Sequence, residues 1–341
     1  MPRLSRVERS STHVAILAGV QLTLGACQGG RESGTSAFAT DDGSAETSID
    51  GDGDGGGDGD GDGDGDGQIK FDLGANDAGE TGDGAEGGLD GCKKVDVVFA
   101  IDNSDSMQEE IGAMKGPVFD ELPAALLSVN GGIDDFQLGV VTGCPSPAHL
   151  HTNGASGNCG FSTGANYMVS SSPAIQAEYQ CVTDLVNDGW MGVSQSCTDS
   201  GSNADDEEQP ALTTARAVSA PAIDGANLGF LRPDAVLFLV AITDEDEELL
   251  DADSAAQIRD EIVNAKGDVK NVVFLGIGGG SDCQGLYGDA MDAQNLRAVA
   301  ELFAADGRGV FHDLCGGNLT AGFQAALEIV DSACSEFIPP G

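Results

Sequence analysis

Residues 95–107 read VDVVFAIDNSDSM, a stretch that joins a candidate strand to a candidate ligand site. Its first half is apolar and rich in valine, which favours a strand buried on both faces of a parallel sheet. That strand is predicted to end at Asp102, and Ser104 and Ser106 follow in a short loop. Open α/β sheets place their ligand sites at the carboxyl ends of strands. One carboxylate and two hydroxyls there suit a hard divalent cation, with Mg²⁺, Ca²⁺ and Mn²⁺ as candidates.

A second apolar run, residues 235–244 (AVLFLVAITD), ends in the same way. It predicts another buried strand, with Asp244 just past its end. Asp and Ser after a strand are also common helix caps, which would explain the first motif taken alone. Two such motifs, each placed after a buried strand, favour a shared metal site instead.

The pattern Asp102-x-Ser104-x-Ser106, with a distal aspartate at Asp244, resembles the metal-ion-dependent adhesion site of von Willebrand factor type A (VWA) domains. The resemblance covers roughly residues 92–337. It implies that Ser104 and Ser106 bind the cation directly and that the two aspartates lie beside them.

The resemblance also implies a fifth ligand, which in the family is usually a threonine in the sequence TxTGxAL. The matching stretch here is DEEQPAL, residues 206–212, and it places Asp206 at the threonine position, or a neighbouring carboxylate if the register slips. A carboxylate there would donate more charge to the cation and weaken its pull on an acidic group of a partner. It would also favour Ca²⁺, which accepts more ligands and looser geometry.

Alternating strand and helix patterns predict an α/β fold with a doubly wound, mostly parallel central sheet flanked by helices, VWA-like or Rossmann-like. A disulfide-rich loop insertion is expected from Cys144 to about Ala204. The predicted strands are 95–102, 136–143, 235–244, 271–277 and 309–312. The predicted helices are 107–130, 209–220, 254–266, 292–304 and 319–332.

Nine cysteines are present, and the first, Cys27, lies at the end of a segment that looks like a signal peptide. The remaining eight form an even set, which in an exported chain suggests disulfides, although about 105 pairings are possible. Pairing of neighbours in sequence would leave the first and last cysteines to join the ends of the domain. These candidate pairs are Cys144 with Cys159, Cys181 with Cys197, Cys283 with Cys315, and Cys92 with Cys334.

Residues 1–26 have the charged start and short apolar core of a secretory signal. Their end, Leu24-Gly25-Ala26-Cys27, resembles the lipobox of bacterial lipoproteins, which implies cleavage before Cys27 and lipidation of that residue. Gln28 rather than aspartate follows, which resembles outer-membrane sorting. We therefore expect a lipid-anchored protein of the bacterial cell envelope; a plain secreted protein is the alternative.

Residues 27–91 are rich in glycine and aspartate and predict a disordered tether, and residues 338–341 predict a short tail. Asp-Gly repeats from Asp50 to Gly67 match the front of a calcium loop, but the glutamate that closes an EF-hand is missing. A folded calcium site is therefore not expected in the tether.

The charge balance restricts the partners. The chain has 57 acidic and 15 basic residues, a formal charge of −42, so nucleic acid and anionic lipid headgroups are not expected to bind. His149 and His151 form an HxH pair, for which a loop surface is favoured over a metal site. The sequence predicts a non-enzymatic protein that binds an extracellular or envelope protein or polysaccharide through the cation. The alternatives are a metal-dependent hydrolase and a scaffold with a metal-stabilised fold.

Overall fold

The computed structural model describes residues 92–114, 122–129, 133, 135–185, 208–247 and 254–337. The predicted signal segment 1–26, the tether 27–91 and the tail 338–341 lie outside these residues, as do Cys27, Cys197 and Asp206. Predictions that concern them therefore stay predictions.

The described residues contain ten strands, six of which form one mixed sheet. Along the sheet the order is 10-7-6-1-2-5 in chain numbering; each neighbouring pair is parallel except the last, which is antiparallel. The other four strands form two short hairpins. The strands are β1 (Lys94–Ile101), β2 (Asp135–Thr142), β3 (Asn153–Gly154), β4 (Gly157–Asn158), β5 (Met168–Val169), β6 (Val236–Ile242), β7 (Val272–Gly278), β8 (Cys283–Gly285), β9 (Gly288–Ala290) and β10 (Gly309–Asp313).

Helices cover both faces of this sheet. On one face, Phe99 of β1 lies between Tyr179 and Phe323, with ring centroids 6.0 Å away in each case. On the other face, Phe274 of β7 stacks on Phe303 at 5.3 Å. The helices are α1 (Gln108–Met114), α2 (Leu122–Ser128), α3 (Ile175–Val182), α4 (Pro210–Val218), α5 (Ala255–Lys266), α6 (Gln294–Ala304) and α7 (Leu319–Glu336).

Burial on both faces explains why the central strands are continuous apolar runs. Every residue of β6 and β7 is buried, and in β1 only Lys94 at the start is partly exposed. Alternate residues of β1 enter two separate apolar cores, so that Val97 packs on the first face and Val98 on the second. A strand with two apolar faces cannot show the alternation of a half-exposed strand.

The mostly parallel sheet flanked by helices is confirmed, and each predicted strand of the sheet is found within a residue or two of its predicted ends. The predicted helix 107–130 contains α1 and α2, and residues 115–121 between them lie outside the described part. Four features were not predicted: α3, strand β5, the β3–β4 hairpin and the β8–β9 hairpin. All four follow Gly- or Ser-rich sequence that lacks a clear apolar period.

Three disulfides join described cysteines. The predicted pairs Cys92–Cys334 and Cys283–Cys315 are confirmed. The predicted pairs Cys144–Cys159 and Cys181–Cys197 are wrong, because Cys159 is bonded to Cys181. Cys144 is also disulfide-bonded, with a partner outside the described residues.

The reason for the different pairing is that the chain folds back on itself within the insertion. The amide of Ala155, in the β3–β4 hairpin, donates to the carbonyl of Asp184, just after α3. At Gly154 a β-carbon would lie only 1.8 Å from the carbonyl oxygen of Cys181, so the hairpin backbone lies directly against the helix. This contact brings Cys159 to Cys181, although Cys144 is closer to Cys159 in the sequence.

A charged cluster joins the amino ends of β1, β2 and β6. Asp96 of β1 is fully buried and accepts hydrogen bonds from the backbone amide and Nε of Arg232, both at 2.7 Å. Arg232 also donates to Asp135 of β2, and Nζ of Lys266 donates to the Arg232 carbonyl. Burial raises the pKa of Asp96 to about 6, although the charge of Arg232 lowers it. This edge of the sheet therefore balances its buried carboxylate with a protein cation.

Candidate metal centre

The two motifs predicted from the sequence meet at the carboxyl edge of the sheet. β1 and β6 are parallel neighbours, with Ile101 opposite Ile242. Beyond the paired strands, the amide of Asp102 donates to the carbonyl of Ile242 at 2.9 Å, and the amide of Thr243 donates to Ile277 at 3.1 Å. The turns that follow β1 and β6 are thus held side by side.

Three of the predicted ligands form a continuous set of contacts. The hydroxyl oxygens of Ser104 and Ser106 are 3.0 Å apart, and the Ser106 hydroxyl donates to Oδ1 of Asp244 at 3.2 Å. Ser106 and Asp244 are 138 positions apart in the chain, so only the fold brings them together. Ser106 is exposed, whereas Asp244 is buried. The set therefore has one side open to solvent.

Asp102 lies behind the serines and is fully buried. Its Oδ1 accepts a hydrogen bond from the amide of Ser104 at 2.8 Å, and its Oδ2 accepts from the hydroxyl of Thr243 at 2.7 Å. These bonds fix the Ser104 turn against the end of β6. Thr243 was quoted in the second motif but was given no role, and its place directly before Asp244 is the signal that could have found it.

Glu110 is a member of this cluster that the sequence reasoning did not include among the ligands. It lies in the first turn of α1, one helical turn after Ser106, and its side chain is 1% exposed. Neither carboxylate oxygen has a hydrogen-bond partner elsewhere in the described residues. The β8–β9 hairpin packs over it, since a β-carbon on Gly288 would lie 3.1 Å from Oε1.

Burial and mutual repulsion shift the carboxyl groups of the cluster towards their neutral forms. Burial raises the pKa of Asp102 to about 6, although its hydrogen bonds lower it. Burial, followed by the charge of Asp102, raises the pKa of Asp244 to about 7. Burial raises the pKa of Glu110 to about 8, and the charges of Asp244, Glu109 and Asp102 add to that effect. A positive ion beside these groups would favour their ionised forms.

The acidic run that begins at Asp244 is more ordered than a solvated charge run. Glu247 is buried and accepts hydrogen bonds from the amides of Ala211 and Leu212, at 3.0 and 2.7 Å, in the first turn of α4. Asp246 accepts from the amide and side-chain nitrogen of Asn295 at the start of α6. Burial raises the pKa of Glu247 to about 8, against the effect of its two hydrogen bonds. The run thus fixes the starts of two helices beside the cluster.

The side chains present fit a hard cation. Two hydroxyls and the carboxylate of Asp244 are in mutual contact, and the unpartnered oxygens of Glu110 add acceptor capacity nearby. Asp206 lies outside the described residues, so the fifth ligand stays a prediction. Across the described ranges, no group of three or more His, Cys, Asp or Glu side chains is placed to hold a metal ion, His149 and His151 included. These four residue types do not include serine, and the candidate centre depends on the hydroxyls of Ser104 and Ser106.

Comparisons with known proteins give no family for this chain. No family model and no curated protein matches it. Among solved structures, it is similar to proximal thread matrix protein 1 from the mussel byssus, with 16% sequence identity and a TM-score of 0.40. The match covers 70% of this chain and 48% of that protein. Within the described residues, no helix has the length and apolar character needed to cross a membrane.

Proposed function

We propose that residues 92–337 form a VWA-like domain that binds a partner through a divalent cation, Mg²⁺, Ca²⁺ or Mn²⁺. Ser104, Ser106 and Asp244 would hold the ion, with Asp102 behind them. The observation that carries this proposal is the series of contacts from Ser104 through Ser106 to Asp244. These contacts join the turn after β1 to the turn after β6.

The strand order supports a doubly wound, VWA-like or Rossmann-like sheet. With the two hairpins left aside, the six sheet strands follow the order 3-2-1-4-5-6, in which winding reverses between β1 and β6. Ligands of doubly wound sheets bind at this reversal, outside the carboxyl ends of the strands. Asp102 follows β1 and Asp244 follows β6, so both lie at that point.

Charge supports the presence of a cation at this edge. Asp102, Asp244 and Glu110 are buried, and none of them forms an ion pair with a lysine or arginine of the described residues. Buried carboxylates are costly unless they are paired or bind a metal. A divalent ion would supply the missing positive charge.

When bound, the ion supplies an electrophilic centre that an oxygen atom of a partner can approach. The residues of the chain hold and orient that centre. Asp102 fixes the Ser104 turn through the Ser104 amide and ties it to Thr243. Ser106 is exposed, so the partner oxygen would enter on its side.

The amino-terminal sequence supports display at the bacterial cell envelope by a lipid anchor at Cys27, and Gln28 favours the outer membrane as the site of that anchor. Residues 27–91 would tether the domain away from the lipid. The partner would be an extracellular or envelope protein or polysaccharide. A formal charge of −42 disfavours strongly acidic partners.

The experiment compares the full chain with the double variant S104A/S106A. Isothermal titration with CaCl₂ and with MgCl₂ should reveal a saturable site in the wild type that the double variant lacks. Weak cation binding by the acidic tether is the same in both proteins and cancels. The matched control is S332A/S335A, which removes two exposed hydroxyls from α7 and should titrate like the wild type.

Partner binding is then measured on surfaces coated with extracellular protein or with polysaccharide, with and without chelator. Adhesion predicts that binding requires the divalent ion and is lost in the folded double variant. If the double variant unfolds instead, a scaffold role is favoured. If both proteins take up the ion equally, the proposed centre is wrong.

A further inference from the structure

A groove of about 490 Å³ lies in the insertion after β2, and no residue of the candidate metal centre lines it. Its walls come from the β3–β4 hairpin, from the loop that leads to β5 and from the loop between α4 and β6. The volume is within the range of small-molecule sites, roughly 300–1,000 Å³. Several of the lining residues are exposed, so a ligand can enter from solvent.

The groove differs from the rest of the chain in its lack of charge. None of the side chains that line it is ionisable, although the chain has 57 acidic and 15 basic residues. An ionic ligand would leave water there without gaining an opposite charge, which is unfavourable. The groove therefore favours a neutral ligand.

Three polar side chains of the groove have hydrogen-bonding capacity that the described residues leave unused. Oδ1 of Asn158 accepts from the amide of Gly160 at 2.8 Å, but its Nδ2 and the hydroxyl of Thr152 form no hydrogen bond within the described chain. Nδ2 of Asn166 donates to a backbone carbonyl at 2.7 Å and to Oδ1 of Asn227 at 3.1 Å, which leaves its own Oδ1 as an acceptor. A hydroxyl both donates and accepts, so this set matches a ligand rich in hydroxyl groups.

Apolar side chains complete the lining of the groove. Leu228 is 70% exposed, and Phe161 is half-buried. The face of an aromatic ring carries negative partial charge, which attracts the C–H groups of a ligand. A sugar ring combines an apolar C–H face with polar hydroxyls, and the groove offers a counterpart to each.

Contacts within the chain hold the walls of the groove in place. The disulfide Cys159–Cys181 joins the hairpin side to α3, and the hydroxyl of Thr163 donates to the carbonyl of Tyr167 at 2.7 Å. Asn227 is fully buried, and its side-chain nitrogen donates to two backbone carbonyls at 2.9 Å each. A site that is formed before binding loses less conformational entropy when the ligand arrives.

We propose that this groove is a second binding site, which takes a neutral saccharide and needs no cation. Asn158 and Thr152 donate to hydroxyls of the sugar, and Oδ1 of Asn166 accepts from one. Phe161 and Leu228 pack against its C–H groups. The inference goes beyond the proposed function, because the groove and the metal centre share no residue.

The test screens the full chain in EDTA on an array of neutral oligosaccharides of glucose, galactose, mannose and N-acetylglucosamine. Oligomers of galacturonate and an uncharged peptide are placed on the same array. The neutral oligosaccharide that binds best is then titrated by calorimetry against the wild type and the variants. EDTA removes any contribution of a metal ion to binding.

Two variants and two matched controls locate the site. Asn158→Asp keeps the oxygen that accepts from Gly160 but removes the free amide donor, and Leu228→Ser removes the exposed apolar side chain. Each should weaken saccharide binding by roughly 10-fold. Asn153→Asp makes the same change at the exposed partner of Asn158 in the hairpin, and Leu286→Ser does so at a leucine that is 76% exposed elsewhere. Both controls should bind like the wild type.

Several results would overturn the inference. It fails if no neutral oligosaccharide binds, or if binding is confined to galacturonate or the peptide. It also fails if Asn158→Asp and Leu228→Ser both bind the neutral oligosaccharide as tightly as the wild type. If Leu228→Ser does not fold, Asn158→Asp decides, because Asn158 is exposed and its contact with Gly160 is kept.

The double variant S104A/S106A separates this inference from the proposed function. In EDTA it should bind the saccharide like the wild type. If the wild type binds the saccharide only in CaCl₂ and the double variant does not bind it, the sugar reaches the metal centre, so the groove proposal fails and the proposed function gains support. If no cation site is found while saccharide binding persists, the proposed function fails and the groove proposal stands.

Discussion

The two edges of the central sheet treat buried carboxylates in opposite ways. At the amino edge, Asp96 is fully buried and is paired with Arg232 at 2.7 Å. At the carboxyl edge, Asp102, Asp244 and Glu110 are also buried, yet none has a cationic side chain of the described residues as partner. Among the described side chains, the buried carboxylate at one edge thus has a cationic partner and those at the other edge have none.

We infer from this difference that the amino edge serves stability, and the proposed function assigns the carboxyl edge to a ligand. Arg232 reaches two strands, since it also donates to Asp135 and to the Val95 carbonyl. It therefore locks β1 to β2 with groups that belong to the chain. The cluster that opens at Ser106 has no cationic partner among the described residues, and under the proposed function an ion from solution would supply the missing charge.

The largest effect is expected when the positively charged side chain at the amino edge, Arg232, is removed. Arg232→Ala leaves Asp96 buried and unpaired, so the free energy of unfolding should fall by roughly 3–5 kcal/mol. Urea denaturation of the full chain measures it. Asp135→Asn is the control, because it removes the half-exposed partner of Arg232 and should cost about 1 kcal/mol or less.

A loss below about 1 kcal/mol for Arg232→Ala would count against the comparison. It would mean that this fold tolerates an unpaired buried carboxylate without compensation. The unpaired carboxylates at the other edge would then no longer argue for a cation.

The second prediction concerns the disulfide at the carboxyl edge. Cys283–Cys315 spans 32 residues and ties the β8–β9 hairpin to the end of β10. In the chain-entropy model its loss in C283S/C315S should cost roughly 3 kcal/mol. The hairpin covers Glu110, and the amide of Met291 just after it donates to the carbonyl of Asp244 at 2.7 Å. The variant should therefore also gain less thermal stability from CaCl₂ than the wild type.

A second disulfide of similar span provides the control. Cys159–Cys181 spans 22 residues within the insertion, and C159S/C181S should lose a similar roughly 3 kcal/mol. Its gain from CaCl₂ should match that of the wild type, since none of the predicted ligands lies in the insertion. Equal gains in both variants would show that the hairpin does not support the ion.

Most of the fold could be predicted because buried parallel strands have a simple signature. β1, β6 and β7 are runs of seven or eight mainly apolar residues, and their length and composition separate them from helices. The helix α5 was equally clear, because Ser254 and Gln257 form a capping box at its start. The insertion could not be predicted, since its disulfide depends on a hairpin packing against α3.

The candidate site was predictable only where its residues lie next to a strand end. Ser104, Ser106 and Asp244 follow β1 and β6 directly, so strand order was enough to bring them together. Glu110 and Glu247 are recruited by tertiary packing, the first under the β8–β9 hairpin and the second at the start of α4. No local pattern distinguishes these two glutamates from solvent-exposed neighbours such as Glu109.

The smallest predicted effect is the contribution of the carboxyl edge to the pH dependence of stability. Burial raises the pKa of Glu110 and of Glu247 to about 8, so between pH 6.5 and about 8 each is protonated when folded and ionised when unfolded. For these two groups folding takes up protons, so their contribution to stability in chelator should fall as pH rises, by up to about 1.4 kcal/mol per pH unit for each group. His151, His312 and Lys266 contribute slopes of the opposite sign, because burial lowers their pKa values, that of Lys266 to about 8, and they bind more protons when unfolded. Their contribution is the same in E110Q and E109Q, so the comparison of these two variants isolates Glu110. Urea denaturation across this range measures the slope of the free energy of unfolding against pH, which should be less negative for E110Q than for E109Q. Saturating CaCl₂ should make the slope of the wild type less negative as well. Equal slopes for the two variants would show that the titrating group is not Glu110.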